Sequence, residues 1–157
     1  MKKIGITSLS ALLIFAASCG EGEPKQLSFQ EQMELDSQES ENQAKELELE
    51  NTGIGPIDSY ELSETVNAQL AEQGKALFQE KCTACHKENE KVLGPPPSGI
   101  VTRRNPAWIL NMILNQEEMI QKDPIAKKLL EEYETPMLNQ NLSQEEAKAV
   151  LEYFRTI

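Results

Sequence analysis

The pentapeptide CTACH at residues 82–86 constrains this 157-residue chain more than any other feature. It places two thiols, Cys82 and Cys85, beside the chain's one histidine, His86. If these residues form a turn of helix, both sulfurs and the imidazole share one face. This is the spacing at which two thiols attach a c-type haem covalently while the histidine reaches the iron. The motif therefore predicts a small fold in which one haem is part of the core.

Two other kinds of site also use closely spaced cysteines. A redox dithiol of the thioredoxin type needs a strand–turn–helix unit around it, and no strand pattern surrounds Cys82. A zinc site needs more Cys or His ligands than this chain provides. Haem attachment is therefore the preferred interpretation.

Residues 1–18 have the pattern of an export signal. Two lysines precede an apolar run at residues 9–17, which is too short to span a membrane. The run ends in AASC at residues 16–19, which resembles a bacterial lipobox and implies cleavage before Cys19 and lipid on that residue. An ordinary cleaved signal followed by a stray cysteine is the alternative. We expect a lipid-anchored protein in the bacterial cell envelope, on the periplasmic or outer-surface side, with inner or outer membrane left open.

Residues 19–66 are predicted to be an acidic, flexible tether. Residues 1–67 carry 4 basic and 13 acidic side chains, whereas residues 68–157 carry 11 and 13. Few large apolar residues occur in the tether, so folding it buries too little surface to offset the cost of ordering it. Residues 28–50 lack Gly and Pro and are compatible with transient helix, but a solvated spacer is the predicted state.

Residues 67–157 are predicted to form an all-α domain of about four to five helices. Apolar residues at three- and four-residue spacings between Val66 and Phe78 predict a helix that leads into the CTACH motif. Capping signals mark three further helix starts, at Asn105, Asp123 and Ser143.

This order of features resembles the class I, monohaem cytochrome c family, in a bacterial lipoprotein form, over nearly all of residues 68–157. Gly74, Phe78, the CTACH motif and Tyr153 stand at the family's spacing. The resemblance implies a small fold wrapped around one haem c, attached through the two cysteines and bound through His86. It also implies that Gly74 lets the first and last helices cross closely, with aromatic residues packed at the crossing.

The motif does not fix the sixth iron ligand. Because His86 is the sole histidine, a second imidazole from this chain is excluded, and methionine, lysine, tyrosine or an open site remain. Met137 and Met119 are the candidates. Met137 is preferred because it follows Pro136 in a non-helical segment before the last helix, where the family places its distal ligand.

The resemblance also implies contacts around the haem. The backbone carbonyl of Pro95 is expected to accept the second imidazole N–H of His86 and so orient the ring. Trp108, Arg103 and Arg104 resemble family residues near the haem propionates, where their N–H groups donate to carboxylates. A core tryptophan and a solvated arginine pair are the plain alternatives.

Together these features predict a membrane-tethered, single-haem electron carrier of a bacterial respiratory chain, with His/Met ligation and no enzymatic activity. One alternative is the subunit through which electrons reach the catalytic centre of a terminal or denitrification reductase complex. Another is a haem enzyme or gas sensor with an open sixth site.

Charge patterning suggests how partners dock. Residues 81–104 have a net charge of +3, against −4 for residues 105–157. This asymmetry predicts a basic rim around the haem edge, which would steer a redox donor or acceptor with an acidic docking face. Electron-transfer rates would then fall as salt rises. No feature points to nucleic acid.

Overall fold

A computed structural model describes residues 28–157 of the protein, so the predicted signal peptide and Cys19 lie outside the described residues. The helices are α1 Phe29–Glu50, α2 Ala68–Lys81, α3 Pro106–Leu114, α4 Gln116–Lys122, α5 Pro124–Tyr133 and α6 Gln144–Phe154, with a 3₁₀ turn at Ile100–Thr102. Within residues 28–157 there is no strand, which confirms the all-α prediction. None of the helices in this range is both long and apolar enough to cross a membrane.

The three predicted helix starts are confirmed. Asn105, Asp123 and Ser143 each accept a backbone N–H of the following helix through a side-chain oxygen. One further break, at Asn115 between α3 and α4, was not predicted because neither Gly nor Pro marks it. The domain therefore has five α-helices after residue 67.

The crossing of α2 and α6 organises the domain. A Cβ added at Gly74 would lie 1.8 Å from the carbonyl oxygen of Ala149 and 2.9 Å from the amide nitrogen of Val150. Backbone therefore meets backbone at this point, and no side chain fits between the helices. The close crossing expected at Gly74 is present.

Aromatic rings pack beside this crossing. The ring centroid of Phe78 on α2 lies 5.5 Å from that of Tyr153 and 5.8 Å from that of Phe154, both on α6. The hydroxyl of Tyr153 donates to the carboxylate of Glu88, in the loop after His86. Burial, together with this carboxylate, raises the pKa of Tyr153 to about 12. The last helix is thereby joined to the CTACH region.

The flexible-tether prediction is wrong for much of its length. Residues 29–50 form the 22-residue helix α1, which starts with a capping box between Ser28 and Glu31. None of its side chains is buried. The cap and an uninterrupted run of helix-compatible residues account for a helix that the hydrophobic pattern alone did not indicate.

Residues 51–57, which we call the bound segment, pack against α3 and α4. Asn111, only 1% exposed, accepts from the Ile57 amide at 3.0 Å and donates to the carbonyls of Thr52 and Ile57 at 2.9 and 2.8 Å. Asn115 donates to the Ile54 carbonyl at 3.0 Å. The side chain of Ile57 is itself part of the core.

The domain boundary therefore lies nearer residue 48 than residue 67. Before the bound segment, Asn105 donates to the Leu49 carbonyl at 2.8 Å, and Arg104 pairs with Glu48 at 2.5 Å. After it, Arg155 donates to the Ser63 carbonyl at 2.7 Å. Composition misled the prediction because this segment is held mainly through its backbone, which composition does not report.

We predict that G74A lowers the free energy of unfolding by about 3 kcal/mol or more, because backbone on both helices must move apart. Chemical denaturation of the haem-loaded protein measures this. Q73A, at an exposed position of the same helix, is the matched control and should change stability by less than about 0.5 kcal/mol. Equal stability of G74A and the wild type would contradict the close crossing.

We also predict that a chain beginning at residue 67 is less stable than one beginning at residue 47, by on the order of 4 kcal/mol. The shorter chain exposes the site of Ile57 and leaves the buried amide of Asn111 without its partners. Removing residues 1–46 should have little effect, because the α1 side chains are not buried. Equal unfolding midpoints for the two chains would show that the bound segment contributes nothing.

Candidate functional site

The CTACH motif forms one turn that continues α2. The amide of Cys82 donates to the Phe78 carbonyl at 2.9 Å, closing the helix. The amides of Cys85 and His86 then donate to the Cys82 carbonyl at 3.0 and 2.9 Å. This turn places Cys82, Cys85 and His86 on the wall of the same cavity.

The rest of the cavity is mainly apolar and draws on every helix from α2 to α6. Its wall includes Phe78, Leu93, Ile100, Trp108, Ile109, Met112, Ile113, Ile120, Ala126, Leu129, Leu130, Met137, Val150 and Phe154. An apolar wall with the attachment cysteines at one side suits a flat, largely hydrophobic cofactor that displaces water.

Two backbone features orient His86. Its Nδ1 lies 2.8 Å from the carbonyl oxygen of Pro95, the contact that the resemblance implies. Because a carbonyl only accepts, Nδ1 carries the proton and Nε2 is left free to bind a metal. A Cβ at Gly94 would lie 2.4 Å from Cε1 of His86, so only glycine fits against this ring.

The two thiols differ in environment. Burial, and secondarily the neighbouring Cys85, raises the pKa of Cys82 to about 11. Cys85 also lines the cavity but is exposed. The two sulfurs through which a haem would attach therefore differ in exposure, since Cys82 is half-buried and Cys85 is not.

The methionines differ in their position relative to the cavity. Met137 lines the cavity from the non-helical segment between α5 and α6, and Met112 lines it from α3. Met119 lies outside the cavity wall, fully buried, and its sulfur accepts from the Ile54 amide at 3.0 Å. Met119 thus has a protein partner outside the cavity, whereas Met112 lines the cavity from a helix and Met137 lines it from a non-helical segment.

The segment that carries Met137 is bracketed by two left-handed residues, Glu134 at φ 50° and Asn141 at φ 54°. One side chain from another element, Gln116, reaches its backbone, donating to the Leu138 carbonyl at 3.5 Å. Few hydrogen bonds thus hold Met137 in place within the described part of the chain.

The three side chains predicted to contact the haem propionates have partners within the protein. The indole N–H of Trp108 donates to Asp123 at 3.0 Å and is therefore not free for a propionate, although the ring lines the cavity. Arg104 pairs with Glu48, with its guanidinium 5.6 Å from the Trp108 ring centroid. Arg103 donates to the carbonyls of Pro96 and Ser98. Neither arginine lines the cavity.

Sequence reasoning missed three features of the site. The close packing of Gly94 against His86 was not predicted, although the position of this glycine before three prolines and near the sole histidine was a signal of it. The exposed side chains of Leu93 and Leu138 at the cavity mouth, and the role of Asp123 beyond capping α5, had no sequence signal, because they depend on tertiary placement.

Comparison with known proteins agrees with this geometry. The family described as cytochrome c matches residues 71–157, more than half of the chain. Cytochrome c from Rhodothermus marinus is 44% identical, with 65% of this chain and 88% of that chain covered and a TM-score of 0.63. An engineered form of it, Rma TDE, is 43% identical, with 65% and 89% covered and a TM-score of 0.63. The same engineered protein bound to a carbene intermediate is 43% identical, with 65% and 88% covered and a TM-score of 0.61.

No curated protein matches the chain. The family attaches haem c through a pair of cysteines, and the residues present here fit that group: the CTACH turn lies on an apolar cavity wall and Gly94 leaves room for the imidazole. Members of the family carry electrons between redox partner proteins. This chain belongs to the cytochrome c family and carries one haem c on Cys82 and Cys85.

Proposed function

We propose that the protein is a single-haem electron carrier with His86 and Met137 as axial ligands, anchored in the bacterial cell envelope and serving a respiratory chain. The observation that carries the proposal is the shared cavity. His86, the two attachment cysteines and Met137 line one apolar space, whereas Met119 lies outside it.

The haem supplies the one-electron couple, and the chain's own residues tune it. The Pro95 carbonyl holds the proton on Nδ1 of His86 and makes the imidazole a stronger donor through Nε2. A thioether ligand from Met137 would stabilise the ferrous haem and so raise its reduction potential. A high potential suits a carrier that delivers electrons to a strongly oxidising acceptor. The apolar side chains limit water access and so raise the potential further. The proposal assigns no catalytic residue.

The cavity mouth supports docking through apolar contact more than through charge. Leu93 and Leu138 there are 55% and 69% exposed. Of the five basic residues at 81–104, Lys81, Lys87, Lys91 and Arg104 each pair with a glutamate. The predicted basic rim is thus largely neutralised within the protein, and we propose a partner whose docking face is apolar at its centre.

The location in the envelope rests on the lipobox-like sequence at residues 16–19. If Cys19 carries lipid, α1 stands between the anchor and the domain. At about 1.5 Å per residue its 22 residues span roughly 33 Å. We propose that the helix holds the domain clear of the membrane surface, where soluble partners reach the cavity mouth.

One observation favours a second candidate, a protein with an exchangeable sixth site. The Met137 segment has left-handed residues at both ends and little hydrogen bonding to the rest of the domain. An engineered relative is described as bound to a carbene intermediate. Ready binding of carbon monoxide by the wild-type ferrous protein at neutral pH would support this candidate over the carrier.

We predict that M137A abolishes the weak long-wavelength absorption band that marks methionine ligation of ferric haem, and lowers the reduction potential by on the order of 0.1 V. M119L is the matched control. It should retain the band and the potential, while costing about 1–2 kcal/mol of stability through its lost contact with Ile54. A band that persists in M137A would assign the sixth ligand elsewhere.

We predict that G94A disturbs the orientation of His86, because the new methyl group would overlap the imidazole ring. The yield of haem-loaded protein should fall, and the protein that is loaded should have a shifted potential. G99A serves for comparison, since Gly99 has a φ of 67° but its added Cβ would contact Arg103 and not His86. G99A should lower stability by about 1 kcal/mol without moving the potential.

We predict a weak salt dependence of electron transfer to a docking partner, with rates that change less than about threefold between low and physiological salt. Stopped-flow mixing with a partner of known charge measures it. E90Q frees Lys87 from its ion pair and should steepen the dependence toward acidic partners. A steep fall already present in the wild type would restore the basic-rim prediction.

A further inference from the structure

A buried carboxylate joins the bound segment to the cavity wall. Asp123 is only 2% exposed and forms no salt bridge among the described residues. Its Oδ1 accepts from the Trp108 indole at 3.0 Å and from the amides of Ile125 and Ala126 at 3.0 and 2.8 Å. Its Oδ2 accepts from Nδ2 of Asn51 at 2.7 Å. A buried carboxylate depends on such bonds, since it has lost its water.

Three elements therefore meet at one side chain. Trp108 belongs to α3 and lines the cavity with its ring. The two amides begin α5, whose later residues Leu129, Leu130 and Tyr133 also line the cavity. The helix ends four residues before Met137. A shift of Asp123 would thus move a wall of the cavity and the start of the segment that presents the proposed sixth ligand.

Asn51, the first residue of the bound segment, completes this arrangement. Among the described residues it is the one group that donates to Oδ2 of Asp123. Its own Oδ1 accepts from the Gly53 amide at 2.8 Å, which fixes the side chain in the turn that opens the bound segment. The bond to Gly53 fixes the orientation of the Asn51 side chain, so that its amide points at Asp123. Among the described residues, no other group supplies the fourth hydrogen bond of this carboxylate.

We propose that Asn51 and Asp123 are positioning residues for the haem site: through them the bound segment holds Trp108 and α5, and hence Met137, in the geometry that binds iron. The proposal rests on the proposed function, because it concerns methionine ligation. It assigns to the N-terminal segment a role in ligation in addition to its contribution to stability.

The test uses the full-length, haem-loaded protein and a reversal of the hydrogen bond. N51D keeps the size of the side chain and the acceptor for Gly53, but sets a second carboxylate against Asp123. The double variant N51D/D123N restores one donor and one acceptor with their positions exchanged. N115A is the matched control, because it removes the bonds to Ile54 and to the carboxylate of Glu118 without touching Asp123, Trp108 or α5.

The unfolding midpoint of each variant is measured together with three quantities that report on the haem: the ferric methionine band, the reduction potential and the fraction of ferrous protein that binds carbon monoxide. In N51D we expect a weaker band, a lower potential and about a tenfold larger carbon monoxide-binding fraction, because a buried charged group has lost its bond. The double variant should regain most of the wild-type values. N115A should lower the unfolding midpoint and leave all three quantities unchanged.

Other outcomes would overturn the proposal. If N51D lowers only the unfolding midpoint, or if N115A changes the three quantities as much as N51D does, the segment acts on stability alone. A double variant that stays as altered as N51D would also refute the specific bond. A wild-type protein without the methionine band, binding carbon monoxide freely, would instead overturn the proposed function and this inference with it.

Discussion

The fold depends on the contact between the backbones of α2 and α6. At Gly74 the two helices approach so closely that a Cβ would overlap the Ala149 carbonyl. Since α2 runs directly into the CTACH turn, this crossing also sets where the two cysteines and His86 lie. The Phe78, Tyr153 and Phe154 rings pack beside the crossing, and two of them, Phe78 and Phe154, also line the cavity. A single position without a side chain thus links helix packing to the cofactor site.

The domain holds its cofactor and the bound segment by different kinds of contact. The cavity is bounded by apolar side chains, whose contacts are non-directional and gain strength when a large hydrophobic cofactor enters. The bound segment is held by amide groups from Asn111 and Asn115, which are directional and saturate once their bonds are made. Helix α3 contributes both to the cavity wall and to the attachment of the bound segment. It therefore connects a cavity whose contacts can adjust with a hydrogen-bonded attachment whose geometry is fixed.

The sequence predicted the features that local pattern controls. The helix starts at Asn105, Asp123 and Ser143, the glycine at the crossing and the haem motif all have short signatures. It did not predict the bound segment, because Asn51 and Asn111 are polar residues that composition assigns to solvent, and their partners are 72 and 54 positions away. Trp108 shows the same limit: the sequence predicted a place near the haem for it, but the direction of its indole N–H depends on Asp123.

Recognition of the bound segment through its carbonyls and amides has a consequence for how this part of the chain can vary. Asn111 bonds to the peptide groups of Thr52 and Ile57, not to their side chains, so most residue types satisfy it equally well. The exceptions are Gly53 and Gly55, where a Cβ would lie 2.9 Å from Met119 and 2.4 Å from Asn111. Relatives that keep this attachment should therefore vary more at residues 52 and 56 than at the two glycines and at Ile54, which packs against the core, while the asparagine at residue 111 stays fixed. A search by sequence similarity would overlook such a segment, whereas the pairing of two spaced glycines with a distant asparagine would reveal it.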